Sequence, residues 1–381
     1  MSLYMSLYML EQAPYLPPGR PSLVAVTQQQ NSHRGEARRR VSAVEAVQGA
    51  LLGTAVGDSL GLPYEGMSRQ RVMNTLRGDP LRQRLMFGRG MVSDDTDHAC
   101  LVLETLAETT DPDQFAHQLG DRLRWWLAGL PAGVGWATLR GIARLWLGKS
   151  PHESGVYSAG NGPAMRAPLI GAFPQGNNRE KRRALVRAST RLTHTDPRAE
   201  QGAQVLASAA AYARLGEAPE DILRLVLADA EDLELHTRLE RVAESLKSPS
   251  AELCAEWGLG RGVTGYVNDT VPAALHAWAH NQGHIEPALA EVIRLGGDTD
   301  TTGAIVGALC GVTHGVQSIP LPWIEGIVEW PRSTEWMLRM AERAVLQAPL
   351  RRVSFVAQLL RNATFLCAVY GLIAKRALPP Y

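Results

Sequence analysis

Two short segments concentrate carboxylates and hydroxyls in a way that could hold a hard cation. The first is Ser93-Asp94-Asp95-Thr96-Asp97, in which Asp94, Asp95 and Asp97 repel one another unless positive charge sits among them. Oxygen ligands of this kind suit divalent ions. They would equally make a solvated helix start, because Ser and Asp cap helix N-termini and complement the dipole. The second segment is Leu295-Gly296-Gly297-Asp298-Thr299-Asp300-Thr301-Thr302-Gly303. Asp298 and Asp300 lie two apart on a glycine-freed turn, so both can face one ion. Neither segment holds His or Cys, which favours Mg²⁺ or Mn²⁺ over zinc. Two such ions in one pocket fit hydrolytic chemistry.

Three further segments carry weaker signals. Gly53 to Glu65 reads as a helix ending among glycines and delivering Glu65 just beyond Pro63, where it could serve as a general base, an outer metal ligand or a plain loop carboxylate. Asp58, inside that run, reads as a backbone brace. Ser158-Ala159-Gly160-Asn161-Gly162-Pro163-Ala164-Met165-Arg166 frees backbone N–H groups at a helix start and makes an anion-friendly loop. It lacks the Lys-Ser/Thr ending of a phosphate-binding P-loop, and no dinucleotide fingerprint follows a strand. Arg166 reads as an internal salt-bridge partner before a phosphate ligand. His194, in Thr193-His194-Thr195-Asp196-Pro197, is open between substrate contact and loop bracing.

The elements that must position these residues read as helices. Apolar residues recur at helical spacing from Val44 to Leu52, from Asp95 to Glu108 with Ser93 or Asp94 as N-cap, and from Thr301 to Val316. Further helices fit most of the chain between, and alternating strand patterns are scarce. Gly303, Gly307, Gly311 and Gly315 fall every fourth residue, which predicts close helix–helix approach at that helix. The expected fold is all-α: a single compact multi-helix domain over residues 41–346. A helical C-terminal extension is expected over 347–381, and residues 1–40, with prolines, Gln28-Gln29-Gln30 and Arg38-Arg39-Arg40, read as a disordered tail.

Composition narrows the partners. With Lys plus Arg at 39 and Asp plus Glu at 38, the chain lacks the basic excess of a nucleic-acid or anionic-membrane binder. No run of about 20 uncharged apolar residues is present; Val353 to Ala374 comes nearest, interrupted by Arg361 and Asn362, and reads as an amphipathic closing helix. Cys100, Cys254, Cys310 and Cys367 are scattered among apolar residues and read as buried free thiols of a reducing, cytoplasmic compartment.

Taken together, GALLGTAVGDSLGLPYE, SDDTD, GNGPAMR, LTHTDPRA and LGGDTDTTGAIVGALCG, in that order over roughly residues 48–316, resemble the ADP-ribosylglycohydrolase family. The resemblance implies an all-α fold whose cleft holds two Mg²⁺ ions, and hydrolysis of an N- or O-glycosidic bond at the ribose of an ADP-ribosylated protein or small ADP-ribose conjugate. It implies that Ser93, Asp94 and Asp95 form one metal motif, with Ser where Thr is more usual, and that Asp298, Asp300 and Thr301 form the other. Glu65 and Asp95 would be the catalytic carboxylates. Ser158, Gly160, Asn161 and Gly162 would follow the diphosphate and ribose, with His194 in contact and Tyr266 on the adenine side. Acidic clusters alone would also permit a two-metal nucleotide phosphohydrolase, or a non-catalytic member that binds ADP-ribose. Oligomeric state and acceptor are not legible.

Overall fold

A computed structural model describes residues 41–174, 178–349 and 353–377. Within them seventeen α-helices succeed one another, and isolated bridges are the only β pairing. In chain order they are α1 (Ala43–Gly61), α2 (Arg69–Leu76), α3 (Asp94–Glu108), α4 (Pro112–Ala128), α5 (Trp136–Trp146) and α6 (Gly162–Ala172). Next come α7 (Arg179–Arg191), α8 (Pro197–Leu215), α9 (Pro219–Leu227), α10 (Leu233–Glu244), α11 (Ser250–Glu256) and α12 (Val267–His280). The last are α13 (Ile285–Arg294), α14 (Thr299–His314), α15 (Leu321–Glu325), α16 (Thr334–Val345) and α17 (Phe355–Ala377). The expected all-α fold is what the chain adopts. The tail read over residues 1–40 lies outside the described residues.

Helices α1 and α14 are apolar or small on every side, which is the pattern of a helix buried all round, and they form the centre of the fold. Their glycines face each other in rungs. A Cβ on Gly53 would lie 2.0 Å from the Gly307 carbonyl oxygen, and one on Gly57 would lie 1.9 Å from that of Gly303. Backbones therefore touch, and no side chain fits between them. The contact runs to the site end of both helices, where Thr299 Oγ1 donates to the Gly61 carbonyl at 2.9 Å. The small-residue stripe thus sets where α1 stops relative to where α14 starts.

Around this pair the core is continuous, with Leu51, Leu103, Phe115, Trp278 and Leu309 fully or almost fully buried. Helices α6 and α12 do not show a clear period in sequence. Each carries an internal proline, Pro168 or Pro272, and nearly every residue of both is buried, so there is no polar face to mark the turn spacing.

Helix α17 is long and apolar enough over Phe355–Ala374 to cross a bilayer by composition alone. Its polar residues Arg361 and Asn362 are nevertheless buried against the protein, as are Phe365 and Ala368. Cys100, Cys254 and Cys310 are buried free thiols, but Cys367 is exposed, because it falls on the outward side of α17.

Candidate active site

The ends and starts of helices converge on one cavity of about 560 Å³. Its wall takes in Glu65 beyond α1, Ser93, Asp94 and Asp95 at the start of α3, and Ser158, Gly160, Asn161 and Gly162 at the start of α6. His194 before α8 and Asp298, Asp300 and Thr301 at the start of α14 line it too, together with Thr138 and Thr264. Residues more than 230 positions apart in the chain are thereby gathered, as the sequence motifs anticipate.

The two acidic motifs meet directly. Ser93 caps α3, its hydroxyl accepting from Asp95 N and donating to Asp95 Oδ2 at 3.2 Å. Thr301 Oγ1 donates to the same Asp95 Oδ2 at 3.3 Å, across 206 residues of chain. Asp58 braces the first motif from beneath. Its carboxylate accepts from Ser93 N at 2.9 Å and Thr96 N at 3.2 Å, and from Thr96 Oγ1 at 2.6 Å. Burial pushes its pKa up to about 7 despite those hydrogen bonds.

Among the described residues no Lys or Arg pairs with Asp94, Asp95 or Asp300. Burial raises Asp94 and Asp95 well above the usual carboxylate range, and the charge of Asp58 raises them further. Asp300 is raised well above that range by burial and then by the charges of Glu65 and Asp298. Glu65 is exposed at the cavity mouth yet flanked closely enough by protein for its pKa to rise, with Asp298 adding to the shift and Arg376 opposing it. Asp95 Oδ1 and Asp300 Oδ1 are buried and accept no hydrogen bond.

Buried carboxylate oxygens without donors are costly, and a bound cation is one way to satisfy them. The donor set is oxygen only: Asp95, Asp300, Asp94 and Asp298 with the hydroxyls of Ser93 and Thr301. Among the described residues no three His, Cys, Asp or Glu side chains converge as a ready-made cage.

The other end of the cavity is polar and neutral. Asn161 Nδ2 donates to Asp298 Oδ2 at 2.7 Å and to Thr270 Oγ1 at 2.9 Å, tying the loop to the second acidic motif. The His194 ring stands against Gly160 and Gly162, where an added Cβ would lie 3.1 Å from the ring in each case. Burial, with the nearby Arg166 charge, lowers His194 to about 3, so the imidazole is neutral. Its Nδ1 lies 2.8 Å from Thr193 Oγ1, which itself accepts from Arg166 at 3.1 Å. The Thr193 hydroxyl proton has a close acceptor in that Nδ1, since Thr190 O is 3.5 Å away. This leaves Nε2–H as the donor facing the loop.

Some expectations are corrected. Arg166 is fully buried but among the described residues pairs with no carboxylate; it donates to Ser189, Thr193 and the His98 ring. Tyr266 does not line the cavity. Its hydroxyl donates to Glu234 Oε2 at 2.5 Å and accepts from Arg198, and only its backbone pairs with Gly160. The sequence reading also missed Trp136, Thr138 and Gly265 in the wall, along with Phe365 and Val369 from α17. None of these five carries a chemical signature that spacing could reveal.

A model of the ADP-ribosylglycohydrolase family matches residues 39–353. The chain belongs to the ADP-ribosylglycohydrolase family. Membership makes it an enzyme, a hydrolase of glycosidic bonds to ADP-ribose. The ADP-ribosyl-[dinitrogen reductase] glycohydrolase of Rhodospirillum rubrum is 27% identical over 285 residues, covering 72% of this chain and 88% of its own. The ADP-ribosylhydrolase ARH3 of Danio rerio is 28% identical over 337 residues, covering 74% of this chain and 87% of its own. A solved structure titled ADP-ribosylglycohydrolase-related protein complex superposes with a TM-score of 0.59 at 27% identity, over 81% of this chain and 99% of that one.

Proposed function

We propose that the protein is a Mg²⁺-dependent ADP-ribosylglycohydrolase that releases intact ADP-ribose from an ADP-ribosylated protein side chain or a small ADP-ribose conjugate, with two Mg²⁺ (or Mn²⁺) ions held by Ser93, Asp94, Asp95, Asp298, Asp300 and Thr301. The observation that carries this reading is the Thr301–Asp95 hydrogen bond, which joins the two acidic motifs beside two unpartnered buried carboxylate oxygens. Bound there, the ions would supply Lewis acidity toward ribose hydroxyls and water.

The chain's own groups supply the rest. Gly162 N–H, the Ser158 hydroxyl and Nε2–H of His194 orient the diphosphate and ribose, while Gly160 N and Asn161 N are held by Ser158 Oγ and Gly265 O. In the reaction the bond from the anomeric carbon to the acceptor nitrogen or oxygen breaks, and positive charge grows at that carbon as in other glycoside cleavage. The carboxylates around it stabilise that charge. Water adds its oxygen to the carbon and gives one proton to a carboxylate, which passes that proton on to the departing acceptor and is ionised again. Glu65 suits the proton transfer, because it is exposed at the cavity mouth and its pKa is raised by the surrounding protein and by the Asp298 charge. Asp95 is the buried alternative, and its free Oδ1 suits it to ligation and charge stabilisation.

Hydrolysis of ADP-ribosyl-arginine, ADP-ribosyl-serine and O-acetyl-ADP-ribose, each with Mg²⁺ and with chelator, tests the proposal. Metal-dependent release of intact ADP-ribose is expected from at least one. Release of AMP would indicate a phosphohydrolase, and binding without turnover would indicate a non-catalytic reader of ADP-ribose.

A further inference from the structure

Helix α17 lies outside the stretch that matches the family, which ends at residue 353, yet it forms part of the cavity. Arg361, Phe365 and Val369 fall four residues apart and so share one face. Phe365 and Val369 line the cavity alongside Leu62 and Ala132, and Phe365 packs with Leu62, Leu85 and Met91.

The same helix grips three lining segments by their backbones. Arg376 donates to the carbonyls of Leu62, Pro63 and Glu65. Arg361 donates to the Val92 carbonyl at 2.6 Å, next to Ser93. Asn362 Nδ2 donates to the Gly129 carbonyl at 2.7 Å, ahead of Ala132 and Gly133 in the wall.

The loop at α6 fixes which end of the ligand this wall meets. On the reading above the diphosphate sits against Gly162 N–H, the Ser158 hydroxyl and His194, and the anomeric carbon lies on the far side of the ribose from it. The departing group must therefore point toward the end shared by Glu65, Leu62 and α17. That end is apolar apart from Glu65 and Asp94, whose Oδ1 would lie 3.8 Å from a Cβ on Gly133. We infer that α17 is the acceptor wall of this enzyme, and that Phe365 and Val369 set how bulky a leaving group the site admits, favouring slender acceptors. The inference rests on the glycohydrolase reading above and adds to it a determinant of specificity.

The test compares the intact protein with Phe365→Leu, Phe365→Ala, Val369→Ala and Val369→Trp. Each is assayed on the free ADP-ribosylated amino acid that the wild type cleaves and on a folded protein carrying the same ADP-ribosylated residue. Thermal melting identifies variants that fold, and Phe365→Leu keeps the packing should Phe365→Ala fail. Val369→Trp should lower kcat/KM for the protein conjugate about tenfold or more relative to the free amino acid, and Val369→Ala should shift the ratio the other way. Asn161→Ala, at the opposite end, should weaken both substrates in parallel. A ratio that stays within about twofold of wild type in every folded α17 variant would overturn the inference, because a merely structural helix moves both substrates together. Wild-type silence on all conjugates, with ADP-ribose still bound by calorimetry, would overturn the glycohydrolase reading itself and so is a distinguishable result.

Discussion

Asp95 and Asp97 stand two residues apart on α3 and belong to opposite kinds of buried charge. Asp97 faces a cluster that the chain neutralises for itself. It accepts from Trp126 Nε1 at 3.0 Å and pairs with Arg332 at 3.4 Å, while Arg332 also reaches Glu104 and Gln358. Beside it Arg361 and Glu329 form a buried two-pronged pair at 2.6 and 2.7 Å. Asp95 faces Asp94, Asp298 and Asp300 with no arginine among its partners. Burial disfavours a lone charge far more than a paired one. Among the described residues arginines pair with Asp97 and Glu329 and not with Asp94, Asp95 or Asp300, and that contrast is what the proposed metal ions would complete.

The largest effect should come from removing a charge on the unpaired side. Asp300→Asn should cut kcat/KM by about a thousandfold, comparable with loss of a major electrostatic contact to the transition state. The same change should leave the metal-free protein at least as stable as wild type, because it removes repulsion. Steady-state kinetics and melting in EDTA check both halves; a metal-free variant that melts well below wild type would count against the repulsion argument.

The paired side should answer in the opposite sense. Glu329→Ala leaves Arg361 buried without its partner and should cost about 3–5 kcal/mol of stability. Urea unfolding measures it, and a loss below about 1 kcal/mol would show that the pair is not desolvated as the structure indicates.

The scaffold that aligns the two sides is next. Gly57→Ala places a methyl 1.9 Å from the Gly303 carbonyl, which is backbone and cannot swing away. A loss of roughly 1–3 kcal/mol is expected from the overpacking, with activity falling further than stability because the end of α1, whose Asp58 braces the start of α3, moves away from the start of α14. Retention of wild-type melting and turnover would contradict the rigid glycine contact.

The smallest effect concerns the neutral end of the cavity. His98 and His194 are both held below the ordinary imidazole range by burial. Their unfolded forms take up protons below about pH 6.5 whereas the folded ones do not. Stability from this source is therefore full above that pH and is lost as pH falls toward 3. His194→Gln should flatten the decline between pH 7 and pH 5, read from urea midpoints of variant and wild type; identical slopes would show that His194 titrates in the fold.

How much of this was legible in sequence follows from how local each signal is. The caps, the acidic pairs and the four-residue glycine spacing are local, and Ser93, Asp298 and the Gly303–Gly311 stripe lie in the structure as their spacing suggests. The brace by Asp58 is likewise as read. What failed depends on tertiary partners. Arg166 invited a carboxylate that the fold replaces with Ser189, Thr193 and His98. Tyr266 lies next to the loop in backbone but turns its ring to Arg198. The helix carrying Phe365 has only an apolar period, and nothing in that period says that it walls a cavity built by residues 62–301.

The central claim is that the unpaired carboxylates await divalent cations. Isothermal titration of Mg²⁺ into EDTA-treated, dialysed protein tests it most directly, with Asp300→Asn titrated alongside. The account predicts saturable binding of two ions to the wild type, a rise in melting temperature on binding, and loss of at least one of the two binding events in the variant. Absence of saturable binding to the wild type, or the same isotherm from both proteins, would contradict it.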